Sequence, residues 1–298
     1  MARPLLVAAG TFGILPVIHV GDPIPQMPTP VLRGEGEKGK IMSERTRHTA
    51  ITKVEPNKVM VRGYPIDQLM GNVPFAHVVY LVLKGELPSE AHGRLMDAIL
   101  ISCVDHGLTP PSALAARTVA SGGAPLTTAI AAGIMAINRY HGGAIEGCMR
   151  VMLELVDRKR EAGVDAMTAA REKMAEFRAQ RVRVPGYGHR LHTDDPRTRR
   201  LFALAEELGI AGEYVEMAQA LRQALRESLG RDLPMNVDGA IAVTLCEMGF
   251  PPEMGNGLFA LSRITGLVAH VFEEMTCERP MRYINPTDQG AFHFGGGI

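Results

Sequence analysis

The chain has 298 residues, 46% hydrophobic and 21% charged, and its 32 Lys plus Arg balance 32 Asp plus Glu. That length allows one large domain or two ordinary ones around a substantial core. A formal net charge of zero removes the whole-chain field that would draw nucleic acid or an anionic membrane surface, so neither is expected as a partner.

Leu5 to Val20 is mostly apolar, but Gly10, Gly13 and Pro16 interrupt it. It is shorter than the roughly 20 residues of a membrane span. It also lacks the charge and cleavage pattern of a secretory signal. Pro23, Pro25, Pro28 and Pro30 and the polar run Gly34–Lys40 follow. Residues 1–40 therefore read as an N-terminal extension, partly disordered. Cys103, Cys148, Cys246 and Cys277 form no Cys-x-x-Cys pair, as expected of reduced thiols in a cytoplasmic protein.

From Ile51 to Gly63 the residues alternate and are rich in Val, which predicts a short hairpin before Tyr64-Pro65. Almost everything after it reads as helix. The spacing predicts helices over Phe75–Leu83 and Ser89–Asp105, and tightly packed Ala- and Gly-rich helices over Ser112–Tyr140. Ala144–Lys159 is amphipathic, with Met149, Met152, Leu153 and Val156 opposite Arg150, Asp157 and Arg158. Ala166–Arg181 is a further amphipathic stretch. Asp195-Pro196 reads as a capped helix start running to Gly209. Tyr214–Leu229, Val237–Met248 and Pro252–Met275 complete the set. The fold class expected is all-α with one small β element.

Charge is concentrated between Ala144 and Cys246, while the flanking stretches are rich in Ala, Gly and Leu. That predicts a large domain built from residues 41–143 and 247–298, with residues 144–246 inserted as a smaller one.

Three segments could carry chemistry. In His141-Gly142-Gly143-Ala144-Ile145-Glu146 the glycines let backbone approach a ligand. A His beside a helix N-terminus is held neutral and can donate to an oxyanion; equally, it can be incidental to a helix-entry turn. In Pro185-Gly186-Tyr187-Gly188-His189-Arg190 a Gly-x-Gly turn presents a second imidazole. Arg178, Arg181, Arg183 and Arg190 cluster around it, a pattern suited to phosphates or to a solvated basic helix end. Asp238 lies among Val237, Gly239, Ala240 and Ile241. It reads either as a dehydrated carboxylate usable as a base or as a helix cap. No Gly-x-Ser-x-Gly elbow, Walker A loop or His-Glu-x-x-His site is present. His189 and His192 stand three apart without a third ligand nearby, so no metal is expected.

In this order and spacing the segments resemble the citrate synthase superfamily. That family shows a His-Gly-Gly-Ala-x-Glu turn, a Pro-Gly-Tyr-Gly-His loop followed by Asp-Pro-Arg, and an Asn-Val-Asp segment, here at 141–146, 185–189 with 195–197, and 236–238. Similarity extends to Arg62–Ile66, Gly85–Pro88, Asp105-His106-Gly107, Ala115–Arg117, Ser262-Arg263, His270 and Glu278-Arg279-Pro280. The resemblance implies a helical two-domain fold, a homodimer or higher homo-oligomer, and a coenzyme A thioester as substrate beside oxaloacetate or a citrate-type acid. It implies Asp238 as the base at the thioester α-carbon, His141 as donor to the enolate oxygen, and His189 as the group polarising the 2-oxo carbonyl. His106, Arg197 and Arg279 are implied to hold carboxylates. Pro185, Gly186, Tyr187, Gly188 and Arg190 are implied to belong to the coenzyme A site.

The chain departs from the synthase pattern in its shorter N-terminal portion, a shorter loop between His189 and Asp195, and the absence of Lys or Arg after Arg282. The Asn236-Val237-Asp238-Gly239 form is similar to citryl-CoA lyases, although the lyase module of ATP-citrate lyase has no His in the place of His141. The expected activity is citryl-CoA cleavage. The alternatives are a short citrate or 2-methylcitrate synthase, and a non-catalytic relative that binds CoA esters.

Overall fold

The computed structural model describes residues 49–188 and 193–282. The chain divides by its internal contacts into Met1–Gly93 and Arg94–Ile298.

In the first unit, β1 (Thr52–Glu55), β2 (Lys58–Val61) and β3 (Tyr64–Pro65) form an antiparallel sheet in that order. The expected hairpin is therefore a three-stranded sheet. Glu55 pairs with Lys58 across the β1–β2 turn, where Asn57 takes φ 59°, a conformation asparagine tolerates better than most. α1 (Ile66–Leu69) and α2 (Phe75–Lys84) follow, and Gly85 ends α2 in the left-handed region. Tyr64, Leu69 and Leu81 form the core here. Arg62 donates from Nε and Nη2 to the Val82 carbonyl at 3.0 and 2.7 Å, which satisfies an orphan acceptor near the end of α2.

The division falls within α3 (Glu90–Ser102). In the second unit, α4 (Pro111–Ser121) and α5 (Leu126–Met135) occupy the Ala- and Gly-rich stretch, broken where Gly122, Gly123 and Pro125 interrupt helical continuity. α6 (Ala144–Ala162), α7 (Ala166–Gln180), α8 (Pro196–Glu207), α9 (Glu213–Leu229) and α10 (Val237–Glu247) follow; a 3-10 turn at Pro252–Met254 leads into α11 (Gly255–Cys277). α4, α5 and α11 pack on one another, and α6, α7, α9 and α10 form a second mutually packed set with α8 against α10.

Small residues set the spacing in the first set. Its core is Ala116, Ala120, Ala129, Leu267 and Val271. A Cβ on Gly133 would stand 2.9 Å from Leu267 Cδ1 and from the Ser112 carbonyl, so α5 approaches α4 and α11 only because that position is glycine. In the second set, α10 is buried on every side from Gly239 to Cys246, as befits a helix apolar all round. Met149 and Met152 of α6 are also fully buried.

The region after α11 is held by charge. Arg117 donates from Nε to Glu274 at 2.7 Å and from Nη1 to Glu273 at 2.8 Å, and Arg282 also bonds the Glu274 carboxylate. The Arg117 and Glu274 side chains are only 4% and 1% exposed. Met281 N–H donates to the Ser121 carbonyl at 2.7 Å. Burial pushes the Glu274 carboxyl up, but Arg282 and Arg117 outweigh it and hold it below its ordinary value. Replacing Glu274 by Leu leaves Arg117 buried with weaker partners, and urea unfolding at pH 7 is expected to show a loss of about 3 kcal/mol. Because the folded carboxyl is depressed, its contribution is present above the ordinary carboxylate range and disappears as pH falls through the folded value.

Candidate active site

Asp238 sits in the first turn of α10, and Asn236 caps that helix by accepting from the Gly239 N–H at 3.1 Å. The capping reading of Asp238 therefore falls away: the neighbour performs that task. Asp238 keeps some surface, yet protein encircles it. Loss of hydration pushes its carboxyl above the ordinary value, Arg197 and Arg263 pull against that shift, and Asp195 adds to it.

The glycine-rich loop lies directly on this segment. The Gly186 carbonyl accepts from Asn236 N–H at 3.0 Å, and Gly188 N–H donates to the Pro234 carbonyl at 2.8 Å. Asn236 Nδ2 also donates to the Gly188 carbonyl at 2.9 Å. Gly186 has φ 81°, and a Cβ on Gly239 would stand 2.5 Å from the Gly186 oxygen. Two glycines facing each other permit an approach that side chains at either position would block. His189 and Arg190, with His192, lie outside the described residues.

His141 is presented by a tight turn in which Asn138 and His141 exchange backbone hydrogen bonds at 2.9 and 2.8 Å. Its Nε2 is 2.7 Å from the hydroxyl oxygen of Ser112, a fully buried residue of α4. Phe259 meets its ring edge-on, with centroids 5.7 Å apart at 86°. Gly142, at φ 79°, lets that phenyl ring approach, since a Cβ would stand 2.7 Å from it. Burial lowers the His141 pKa, and the charges of Arg263 and His106 lower it further. The imidazole is thus held neutral, as the helix-terminus argument anticipated, but by dehydration and nearby cations.

Glu146 belongs to the turn's far end. It accepts from Asn256 Nδ2 at 3.1 Å, and Asn256 Oδ1 accepts from Glu146 N–H at 3.3 Å, locking the start of α6 to α11. Arg197 follows the Asp195 cap and Pro196, as expected of Asp195-Pro196. Its guanidinium engages Asp195 through two bonds at 3.0 and 2.8 Å.

The structure thus brings Asp238, Arg197, His141 and His106 within electrostatic reach of one another or of a shared neighbour, Arg263. Arg279 is exposed on the segment after α11 and makes no contact with this cluster among the described residues. Arg263 and Ser112 are the residues that sequence reasoning did not assign. Arg263 is 3% exposed, donates from Nε to the Cys103 carbonyl at 2.9 Å, and carries a buried Nη1 without a partner among the described residues. Its signal was a lone cation in the apolar run Leu258–Leu267. Ser112, behind a proline pair, offered none.

A cleft of about 820 Å³ adjoins the glycine-rich loop. Its walls include Phe177, Tyr187, Leu225 and Leu233, and Arg178, Arg181, Arg183 and Arg231 border it. Tyr187 donates its hydroxyl to the Ala218 carbonyl at 2.8 Å, and burial raises its pKa well above the ordinary value. An apolar wall with clustered arginines suits a ligand with a flat ring and phosphates.

A dehydrated carboxylate, a neutral imidazole and a buried guanidinium on a helical scaffold define an acid–base site with anion-binding capacity. The chain belongs to the citrate synthase family: the family described as "Citrate synthase, C-terminal domain" matches residues 88–286. A citrate synthase of Haloferax volcanii is 34% identical over 212 residues, 70% of this chain and 53% of that relative. The chain therefore spans about half the length of that curated relative. The structure of a citryl-CoA lyase from Hydrogenobacter thermophilus is similar with a TM-score of 0.75 and 39% identity, covering 85% of this chain and 96% of that chain. A Methanosaeta concilii ATP citrate lyase, in complex with (3S)-citryl-CoA, shares the fold with a TM-score of 0.73 at 20% identity, covering 86% of this chain and 43% of that one.

The raised Asp238 carboxyl has a consequence for stability. Folding favours its protonated form, so at neutral pH the ionised group opposes folding. Asp238→Asn is expected to raise the thermal midpoint at pH 7. That gain should vanish as pH falls below the ordinary aspartate value, which melts recorded from pH 3 to 8 will read.

Proposed function

We propose that this chain is a citryl-CoA lyase, cleaving citryl-CoA to acetyl-CoA and oxaloacetate through an enolate. The observation that carries the reading is that Asp238, in the first turn of α10 with Asn236 as its cap, and His141, held against Ser112, both lie within the electrostatic reach of the buried Arg263. The near-complete span of the Hydrogenobacter thermophilus lyase by this chain supports it.

In cleavage, the C3 hydroxyl of citryl-CoA gives its proton to a base, for which His189 is the candidate. The carbon–carbon bond breaks as the C3 carbonyl of oxaloacetate forms. The electron pair passes to the thioester as an enolate, whose oxygen receives a hydrogen bond from His141. Asp238, in the protonated form whose share the raised carboxyl enlarges, then delivers its proton to the enolate carbon, and solvent returns a proton to it as His189 loses the one it took. Ser112 keeps the His141 ring in place. Arg197 and Arg263, whose Nη1 has no partner among the described residues, are candidates for the substrate carboxylates, with His106 and Arg279 as further ones. The cleft along Tyr187 and Gly188 would take the coenzyme, with Pro185, Gly186 and Arg190 completing that loop.

A small domain of residues 144–246 closing on a large one would keep water from the enolate, and the mutual packing of α6–α10 supports that division. Assembly as a homo-oligomer is part of the reading, supported by exposed Leu261, Ile264, Val268, Phe272 and Met275 along one face of α11. A cytoplasmic setting is supported by the buried free thiols of Cys103, Cys148 and Cys246. The second reading, a short citrate synthase, is favoured by the 34% identity to the Haloferax volcanii enzyme.

Incubation with citryl-CoA, with oxaloacetate followed through malate dehydrogenase, is expected to give turnover. Failure to release oxaloacetate would overturn the lyase reading. Free thiol released from acetyl-CoA plus oxaloacetate would favour the synthase. Asp238→Ala should reduce turnover by about 10³-fold while CoA-ester binding, read calorimetrically, persists.

A further inference from the structure

Four residues on one ridge of α11 grip the segment that leads to His106. Ser262 donates its hydroxyl to the Leu100 carbonyl, and Arg263 donates to the Cys103 carbonyl at 2.9 Å. At Gly266 a Cβ would stand 2.5 Å from the Val104 oxygen and 2.8 Å from Asp105 Oδ1, so the helix must be bare there for the segment to lie so close. One turn on, His270 Nε2 is 2.9 Å from Asp105 Oδ1.

Asp105 uses its two oxygens for different tasks. Oδ2 accepts from Gly107 N–H at 2.8 Å, closing a turn whose Gly107 takes φ 74°. Oδ1 ties that turn to α11. His106 lies between the two glycine-turn anchors, and its charge reaches His141. The His270 side chain is 14% exposed, and its Nδ1 is 4.0 Å from Glu273, which in turn pairs with Arg117 at 2.8 Å. The tether therefore runs on, through the half-exposed Glu273, to the buried Arg117 of α4.

We propose that His270 is a positioning residue: through Asp105 it sets the direction in which His106 faces the substrate carboxylate. This rests on the reading of His106 as a carboxylate-binding group. His270 touches no reacting atom. Its effect should therefore fall on recognition of the dicarboxylic acid and leave the carbon–carbon step largely alone.

The test uses the full-length protein with histidine ring labels, His106 being assigned among the ten histidines by loss of its signal in His106→Asn. In His270→Leu the His106 ring resonances should move, and oxaloacetate inhibition of citryl-CoA cleavage should weaken about tenfold with kcat changed less than about threefold. His270→Gln, whose amide can replace Nε2, should restore both. Should His270→Leu not fold, Asp105→Ala serves: it removes the carboxylate oxygen that His270 meets, so the same shift is expected. Unmoved His106 signals, or failure of Gln to restore them, would overturn the proposal. An inactive wild-type protein would overturn the lyase reading instead, and the resonance arm would still decide the positioning claim.

Discussion

The dehydration of one carboxyl organises this structure. Asp238 can hold a proton more tightly than an ordinary aspartate only because α10 is enclosed on every side. Enclosing it requires α6, α8 and α9 around it and the glycine-rich loop across its first turn. Each of these contacts excludes water from a group that water would otherwise restore to its usual acidity. The arginines nearby pull the other way, so the carboxyl is balanced between burial and attraction. Under the proposed function, where Asp238 exchanges a proton with the substrate carbon, such a balance would serve both directions of transfer.

Around that centre, the two sets of helices use different means of close approach. α4, α5 and α11 come together through Ala and Gly, which brings backbone carbonyls within reach of side chains on the neighbouring helix. α6 and α10 instead pack large flexible side chains, Met149 and Met152 among them, which adapt to irregular surfaces. The first arrangement carries Ser112, Arg263 and the contacts to the segment before His106. The second carries Asp238 and the cleft. His141 lies on the connection between α5 and α6, where the two arrangements meet.

Much of this was legible in the sequence, for reasons that differ by element. Periodicity exposed α6 and α9 because one face of each is buried and the other wet. The Asp195 cap and Pro196 were legible because capping is a local interaction. More than one helix was expected over Ser112–Tyr140, but the break between α4 and α5 was not located: alanine and glycine carry no amphipathic signal, so only Gly122-Gly123 and Pro125 marked it. Asp238 was found but remained ambiguous with a cap, because which of Asn236 and Asp238 accepts the helix amide depends on backbone angles. Arg263 and Ser112 went unassigned because their importance comes from tertiary neighbours, Cys103 in one case and His141 in the other. The lowered basicity of His141 was anticipated from the helix terminus, whereas burial and the charges of Arg263 and His106, which only the tertiary fold supplies, lower it here.

The side chain of Asn236 joins places 48 positions apart in the chain, capping α10 with one atom and holding the Gly188 carbonyl with another. As the polypeptide leaves the ribosome, the glycine-rich loop emerges well before the segment on which it comes to rest. Until residue 236 is released and seated, the loop lacks its platform and Asp238 its enclosure. The contact between loop and α10 is thus a non-local one, made only when both segments of the chain are present.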